Sequence, residues 1–276
     1  MRITLSDLIN LDYSLISSTI IDFLKKFLKE TGASGYVMGL SGGVDSSTVL
    51  ALAVKAVGRD HLHVLIMPDK TTTPKEDISD AIYLLNKYNL NYTIIYINNI
   101  LNGYREELSF FNEEHKIATG NLRARIRMNI LYYYANLKNY LVLGTGDRSE
   151  ILIGYFTKYG DGGVDLLPLA SLYKTQVRYL AKHLGIPEHI AFKPSSPRLW
   201  KGHMAEEELG MRYEEIDLIL YALFDLKLDI EEVSKETGLP VEKILKVLKM
   251  HRKSRHKRRL PTIVTLPGIN NPIREI

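Results

Sequence analysis

The densest group of chemistry-bearing residues in the chain is the heptapeptide Ser41-Gly42-Gly43-Val44-Asp45-Ser46-Ser47. An apolar run at residues 35–40 precedes it and a helical pattern at 46–57 follows, so the spacing predicts a strand, a glycine-rich turn and a helix N-terminus. Such a turn presents backbone N–H groups to an anion, and two glycines let the backbone come close to it. The hydroxyls of Ser41, Ser46 and Ser47 are candidate phosphate donors, and Asp45 supplies a carboxylate to hold Mg²⁺ against phosphate oxygens. No lysine follows the glycines, so this is not the lysine-bearing mononucleotide loop, and the glycine spacing is not the dinucleotide fingerprint. Ser-Gly-Gly alone would read as a plain turn; the strand-to-helix setting turns it into a phosphate site.

Two further carboxylates qualify. Glu150 lies just past an apolar run at residues 140–144, where a strand end would let it face Asp45, although alone it reads as a solvated first-turn residue. Asp161, in Asp161-Gly162-Gly163, is a candidate proton acceptor, and the competing reading is a tight Asp-Gly turn. Arginines in Asn121-Leu122-Arg123-Ala124-Arg125-Ile126-Arg127-Met128 would by themselves read as an exposed helix face. The basic run at residues 251–259 is a solvated helix end or a seat for a polyanion.

These residues need a scaffold that brings strand ends together. Short apolar runs at 35–40, 61–67, 91–97 and 140–144 suit buried parallel strands. Helical periodicity occupies 46–57 and 75–90, with two helices expected within 100–137, and helical structure also opens the chain at 5–30. This alternation predicts an α/β, Rossmann-like parallel sheet of about five strands with helices on both faces. Ligands bind such sheets at the carboxyl ends of the strands. Beyond residue 144 the alternation stops. A Gly- and Asp-rich loop at 155–167 leads to a helix at 172–184, and further helices are expected at 213–224, 230–237 and 241–251. One domain over 1–276 is expected, with an α/β core at about 30–185 and a helical C-terminal extension at about 186–276.

Composition removes several classes. The 276 residues include no cysteine, which excludes thiolate nucleophiles, thiolate metal sites and disulfides. Charged residues interrupt the first 28 positions and no long uncharged apolar run follows, so a cytoplasmic protein with no membrane partner is expected. The net charge of +4 is modest and does not by itself decide whether the basic run serves RNA or another polyanion.

Ser-Gly-Gly-Val-Asp-Ser after a strand resembles the pyrophosphate loop of the ATP pyrophosphatase superfamily, whose members cleave ATP between the α and β phosphates. The block at 144–168, GTGDRSEILIGYFTKYGDGGVDLLP, with LYKTQ at 172–176, KPSSPRLW at 193–200, EEELG at 206–210, YEEID at 213–217 and HKRRLP at 256–261, resembles the NAD synthetases within it. The resemblance covers about 39–261 and implies amidation of deamido-NAD by ammonia, with ATP as co-substrate and Mg²⁺ as cofactor. It implies that Gly39, Leu40, Ser41, Gly42, Gly43, Val44, Asp45, Ser46, Thr145, Lys174 and Ser196 hold ATP. Asp45 and Glu150 would hold the metal, with Asp45 and Asp161 catalytic. Arg125, Lys158, Asp165, His256 and Lys257 would bind deamido-NAD. Arg198 and Asp147 depart from the family pattern. A homodimer is implied, with no nucleic acid partner. A tRNA-modifying member would suit the basic tail, but its thiolating forms use cysteines that this chain lacks. With no cysteine to release ammonia from glutamine, the implied nitrogen source is free or delivered ammonia.

Overall fold

The computed structural model describes residues 2–268; Met1 and 269–276, the ends of the expected single-domain span, lie outside the described residues. In chain order the elements are α1 (Leu5–Ile9), α2 (Tyr13–Thr31), β1 (Gly35–Gly39), α3 (Val44–Val57), β2 (Leu62–Ile66) and α4 (Lys75–Lys87). There follow β3 (Tyr92–Ile94), α5 (Asn98–Glu107), α6 (Lys116–Lys138), β4 (Tyr140–Leu143) and α7 (Arg148–Ile153). The remainder is helical: α8 (Lys174–His183), α9 (Glu188–Ala191), α10 (Ala205–Leu209), α11 (Tyr213–Leu220), α12 (Ile230–Thr237) and α13 (Val241–Lys253).

The strands form a parallel sheet in the order β3-β2-β1-β4. Along β1, Tyr36 and Met38 face the core made with α2, α3, α4 and α8, while Val37 faces the core made with α5 and α6. That alternation is the period of two that a strand buried on both faces requires. The sheet has four strands among the described residues rather than about five. A fifth position is occupied only by Leu166, bridged to Leu143, because the 155–167 segment is spent on turns before it reaches the sheet edge. β3 is also shorter than the apolar run at 91–97 implied; it is an edge strand with all three residues exposed, and only one side of it finds a partner.

Local signals set the ends of the elements. Asp12 accepts a hydrogen bond from Leu15 N (2.9 Å) to start α2, and Gly32 at φ +67° ends it. The helix expected at 213–224 is α11 continued by one wide π turn at Tyr221–Asp225. The C-terminal helices bury a separate cluster around Tyr213, Ile216, Ile219, Val233, Ile244 and Val247. Ile3 and Leu8 from the chain start join that cluster, and Ile3 N donates to Glu236 O (2.8 Å), so the first helix packs with the last ones.

Candidate active site

A cavity of about 440 Å³ opens at the carboxyl ends of β1, β2 and β4. Its floor is the turn between β1 and α3. Gly42 adopts φ +79° there, and a Cβ at that position would lie 2.9 Å from the Asp77 carbonyl carbon, with the carbonyl oxygen closer still. Only glycine fits such an approach. The Ser46 hydroxyl accepts from Ser41 N (3.2 Å) and lies 3.0 Å from the Ser41 hydroxyl. Ser47 differs from expectation: its fully buried hydroxyl donates to Gly43 O (2.7 Å), which fastens the first turn of α3 and does not face the cavity.

The carboxylates converge through helix capping. Asp147 accepts from Glu150 N (2.8 Å) as N-cap of α7, while Glu150 reaches back to Asp147 N (3.4 Å). This turns both acids toward Asp45 at the N-terminus of α3; one oxygen from each lies within 4.8 Å of the others. Lys174, the first residue of α8, sends its buried Nζ among them, 2.7 Å from Asp45, 2.8 Å from Asp147 and 2.9 Å from Glu150. Burial alone would push the Lys174 ammonium down, but Asp147, Asp45 and Glu150 together hold it well above its ordinary range. Burial raises the carboxyl pKa of Asp147 and Glu150, and Lys174 opposes that rise.

Lys174 is itself held from behind. Ser149 Oγ accepts from Lys174 N (2.9 Å) and donates to Asp217 Oδ1 (2.5 Å). Thr175 N and Oγ1 both donate to Asp217 Oδ2, at 2.8 Å each. Burial pushes the Asp217 carboxyl up to about 7 despite these donors.

Asp161 lies exposed on the cavity wall, and its Oδ1 accepts from Thr157 N (2.9 Å). The protein crowded around the carboxyl raises its pKa, against the Thr157 N–H and the charge of Lys257. Lys257 borders the same cavity with Nζ donating to Gly154 O (2.7 Å) and Phe156 O (2.6 Å).

Of the sequence-predicted ATP residues, Gly39, Leu40, Ser41, Gly43, Val44, Asp45 and Ser46 line the cavity, together with Thr145, Lys174 and Ser196. Gly42 lies behind the wall. Ser196 donates to His203 O and so shapes the 193–203 loop. Glu150 and Asp161 line the cavity too, as does Lys257, whereas Arg125, Lys158, Asp165 and His256 do not. Asp165 is a sheet residue: its carboxylate accepts from Val142 N (2.7 Å) and from the Tyr132 hydroxyl (3.2 Å). Arg125 is exposed and donates to Lys158 O (3.3 Å), the Lys158 ammonium rests 5.0 Å over the Tyr159 ring, and His256 is exposed.

Several residues at the site were not singled out from the sequence. Arg127 lines the cavity and donates to Met67 O (2.8 Å), with burial pulling its guanidinium down to about 10 against the charges of Asp69 and Asp161. Arg123, one turn away, pairs with fully buried Asp69 (2.7 Å), which also accepts from Thr71 N and Asn98. Helical phase was the available signal: positions 123 and 127 share a face and 125 does not. Arg198, known from the sequence only as a departure from the family pattern, has φ +53° and donates to Asp77 (2.8 Å) at the cavity edge, and Lys193 bridges Asp77 (3.0 Å) to Gly42 O (3.2 Å).

A family model described as NAD synthase matches residues 16–261, which span the phosphate turn, the carboxylate cluster and Lys257. The chain belongs to the NAD synthase family. It is 58% identical over its full length to the whole of the NH(3)-dependent NAD(+) synthetase of Staphylothermus marinus, and 56% identical over 95% of its length to 94% of that of Hyperthermus butylicus. Among solved structures, the NMN synthetase from Francisella tularensis superposes with a TM-score of 0.82 at 32% identity, covering 93% of this chain and 100% of that one. The NH3-dependent NAD synthetase from Campylobacter jejuni, in complex with the nitrate ion, superposes at 0.77 with 32% identity, covering 92% and 100%. Members of this family are ligases that form a C–N bond, which is the chemistry the cavity has to accommodate.

Proposed function

We propose that this chain is an ammonia-dependent ligase that converts deamido-NAD to NAD at the expense of ATP, releasing AMP and pyrophosphate. The observation that carries the reading is the meeting, in one cavity, of the Ser41–Ser46 turn, Asp45, Glu150, Lys174 and Asp161, with buried Asp147 completing the carboxylate cluster behind the wall. A carboxylate does not react with ammonia at neutral pH, because oxide is not a viable leaving group. In the first step a nicotinate carboxylate oxygen attacks the α-phosphorus of ATP and the bond to pyrophosphate breaks. The turn holds the departing phosphates with backbone N–H groups and the Ser41 and Ser46 hydroxyls. The product is an acyl-adenylate. In the second step ammonium gives a proton to Asp161, the freed ammonia bonds to the acyl carbon, the carbon–oxygen bond to AMP breaks, and the nitrogen releases its second proton to water as the neutral amide forms. The raised pKa of Asp161 makes it a stronger base than an ordinary carboxylate.

The residues present fit Mg²⁺. Asp45 Oδ1 is buried without a partner, and three carboxylates against the single ammonium of Lys174 leave an excess of negative charge. Asp45 and Glu150 would hold the ion, which when bound would neutralise charge on the ATP phosphates. A homodimer is part of the proposal: Tyr133 and Leu137, one turn apart on α6, are 74% and 64% exposed and give a second copy an apolar face. Arg125, on the same helix, together with Lys158, Asp165 and His256, would then meet the far half of the dinucleotide beyond the cavity. Among the described residues no helix is long and apolar enough to cross a membrane, and a cytoplasmic single-domain enzyme without a nucleic acid partner is the reading proposed.

A second acceptor is favoured by one observation. Four of the five proposed dinucleotide residues lie outside the cavity, so nicotinate mononucleotide, a shorter acceptor, would use the same chemistry. Purified protein supplied with ATP, Mg²⁺ and either acceptor, with ammonium or glutamine, tests both readings. NAD formed with ammonium alone, with equal AMP, is the expected result. A higher kcat/KM on the mononucleotide would reassign the acceptor, and no ATP cleavage with either would refute the proposal.

A further inference from the structure

Lys174 Nζ is the only cation within reach of Asp45, Asp147 and Glu150 among the described residues, and it touches all three. It hydrogen-bonds to Asp45 Oδ2 (2.7 Å) and Glu150 Oε1 (2.9 Å), while its contact with Asp147 Oδ2 is an ion pair without hydrogen-bond alignment. Asp45 Oδ1 has no partner either. Beneath the ammonium, at 5.2 Å from Nζ to ring centroid, lies Tyr213, wholly buried, with a hydroxyl that no group satisfies. A buried cluster of this kind is under-neutralised and under-bonded, and buried polar groups normally find partners. A divalent ion would meet the missing demand. It cannot simply be added, because an ammonium and a divalent ion a few ångströms apart repel strongly where water is scarce.

We propose that Asp45, Asp147 and Glu150 form a single cation seat for which Lys174 and the divalent ion compete. Lys174 fills the seat in the nucleotide-free enzyme, and the ion takes it when the ammonium moves onto an ATP phosphate. The inference rests on the proposed ATP and Mg²⁺ reading and adds a third carboxylate, Asp147, to the two expected there. It explains why a lysine, with its compact charge and flexible stem, stands at the first position of α8 rather than an arginine. It also couples the two ligands: whatever draws Lys174 toward phosphate strengthens the metal, and the reverse holds equally.

The test is Mn²⁺ binding to the full chain, followed by electron paramagnetic resonance. Without nucleotide, Lys174→Met should bind Mn²⁺ at least about tenfold more tightly than wild type, because the seat is no longer occupied by its own side chain. Adding Asp147→Asn to Lys174→Met should reverse about tenfold of that gain, whereas a bystander Asp147 would leave it unchanged. If Lys174→Met folds poorly, its Tm decides: a larger Mn²⁺-induced rise than wild type shows supports the competition, and an equal or smaller rise overturns it. Wild type that binds Mn²⁺ without nucleotide as tightly as Lys174→Met refutes the competition and leaves the metal reading standing. Failure of wild type to bind Mn²⁺ even with α,β-methylene-ATP refutes both.

Discussion

Replacing Gly42 with alanine places a methyl group against the backbone of α4's first turn, and two costs follow. An L-residue at φ +79° loses about 1–2 kcal/mol relative to glycine. The new Cβ lies 2.9 Å from Asp77 C and 3.0 Å from its Cα, with the carbonyl oxygen nearer still, so backbone has to move; overpacking of that order costs about 1–3 kcal/mol. The sum is about 2–5 kcal/mol if the turn stays in place, and a displaced phosphate turn if it does not. Gly32 supplies the control, since it has φ +67° with nothing within 4 Å of its would-be Cβ, and Gly32→Ala should lose only the conformational part. Denaturant unfolding of both variants, with KM for ATP measured alongside, isolates the clash. Gly42→Ala should be less stable than Gly32→Ala by about 1–3 kcal/mol, or should raise KM for ATP where Gly32→Ala does not. Equal stability together with an unchanged KM would show that the approach of Gly42 to Asp77 constrains nothing.

Asp161→Asn should leave ATP–pyrophosphate exchange intact and slow amide formation by about a hundredfold or more, as loss of a positioned base does; loss of exchange as well would place Asp161 in the first step. Wild-type amide formation should fail as pH drops through a pKa above the ordinary carboxylate value, since the base must be unprotonated and the protein crowded around its carboxyl has raised it. Asp69 behaves oppositely: burial works against its charge, but Thr71 and Arg123 win and lower its pKa from 3.8 to about 2. Its contribution, about 2 kcal/mol, is therefore present above pH ~4 and lost between ~4 and ~2, so Asp69→Asn should remove that acid dependence from the unfolding free energy. Asp217→Ala leaves Ser149 and Thr175 donors unpaired in the core and should cost about 1–3 kcal/mol per lost partner while raising KM for ATP through a loosened Lys174; an unchanged KM would limit Asp217 to stability.

What was legible in the chain was whatever short range decides. Asp45 could be found because the strand, the two glycines and the helix start are contiguous, and the backbone N–H groups that make the anion site belong to the same few residues. The strands were legible from apolar runs, although a run does not say how many of its residues find a partner: β3 pairs over only three residues because it ends the sheet. Asp147 looked like a mere departure from pattern, since its meaning depends on Lys174, which arrives from the far side of a long turn to meet it at 2.8 Å. Arg125 was separated from Arg123 and Arg127 only by helix phase, which needs the buried face of α6 to be known first. Ser47 shows the same limit at one-residue resolution: it lies beside Ser46 in sequence, but the first turn of α3 rotates its hydroxyl onto Gly43 O.

The central claim is that the acceptor carboxylate is activated by adenylation, and the oxygen atoms record whether it is. Deamido-NAD carrying ¹⁸O in both carboxylate positions, turned over with ATP and ammonium in unlabelled water, should yield AMP with one ¹⁸O on its phosphate and NAD retaining the other. Label in pyrophosphate, or in neither nucleotide phosphate product, would contradict attack at the α-phosphorus and with it the assignment of the Ser41–Ser46 turn as the holder of departing pyrophosphate.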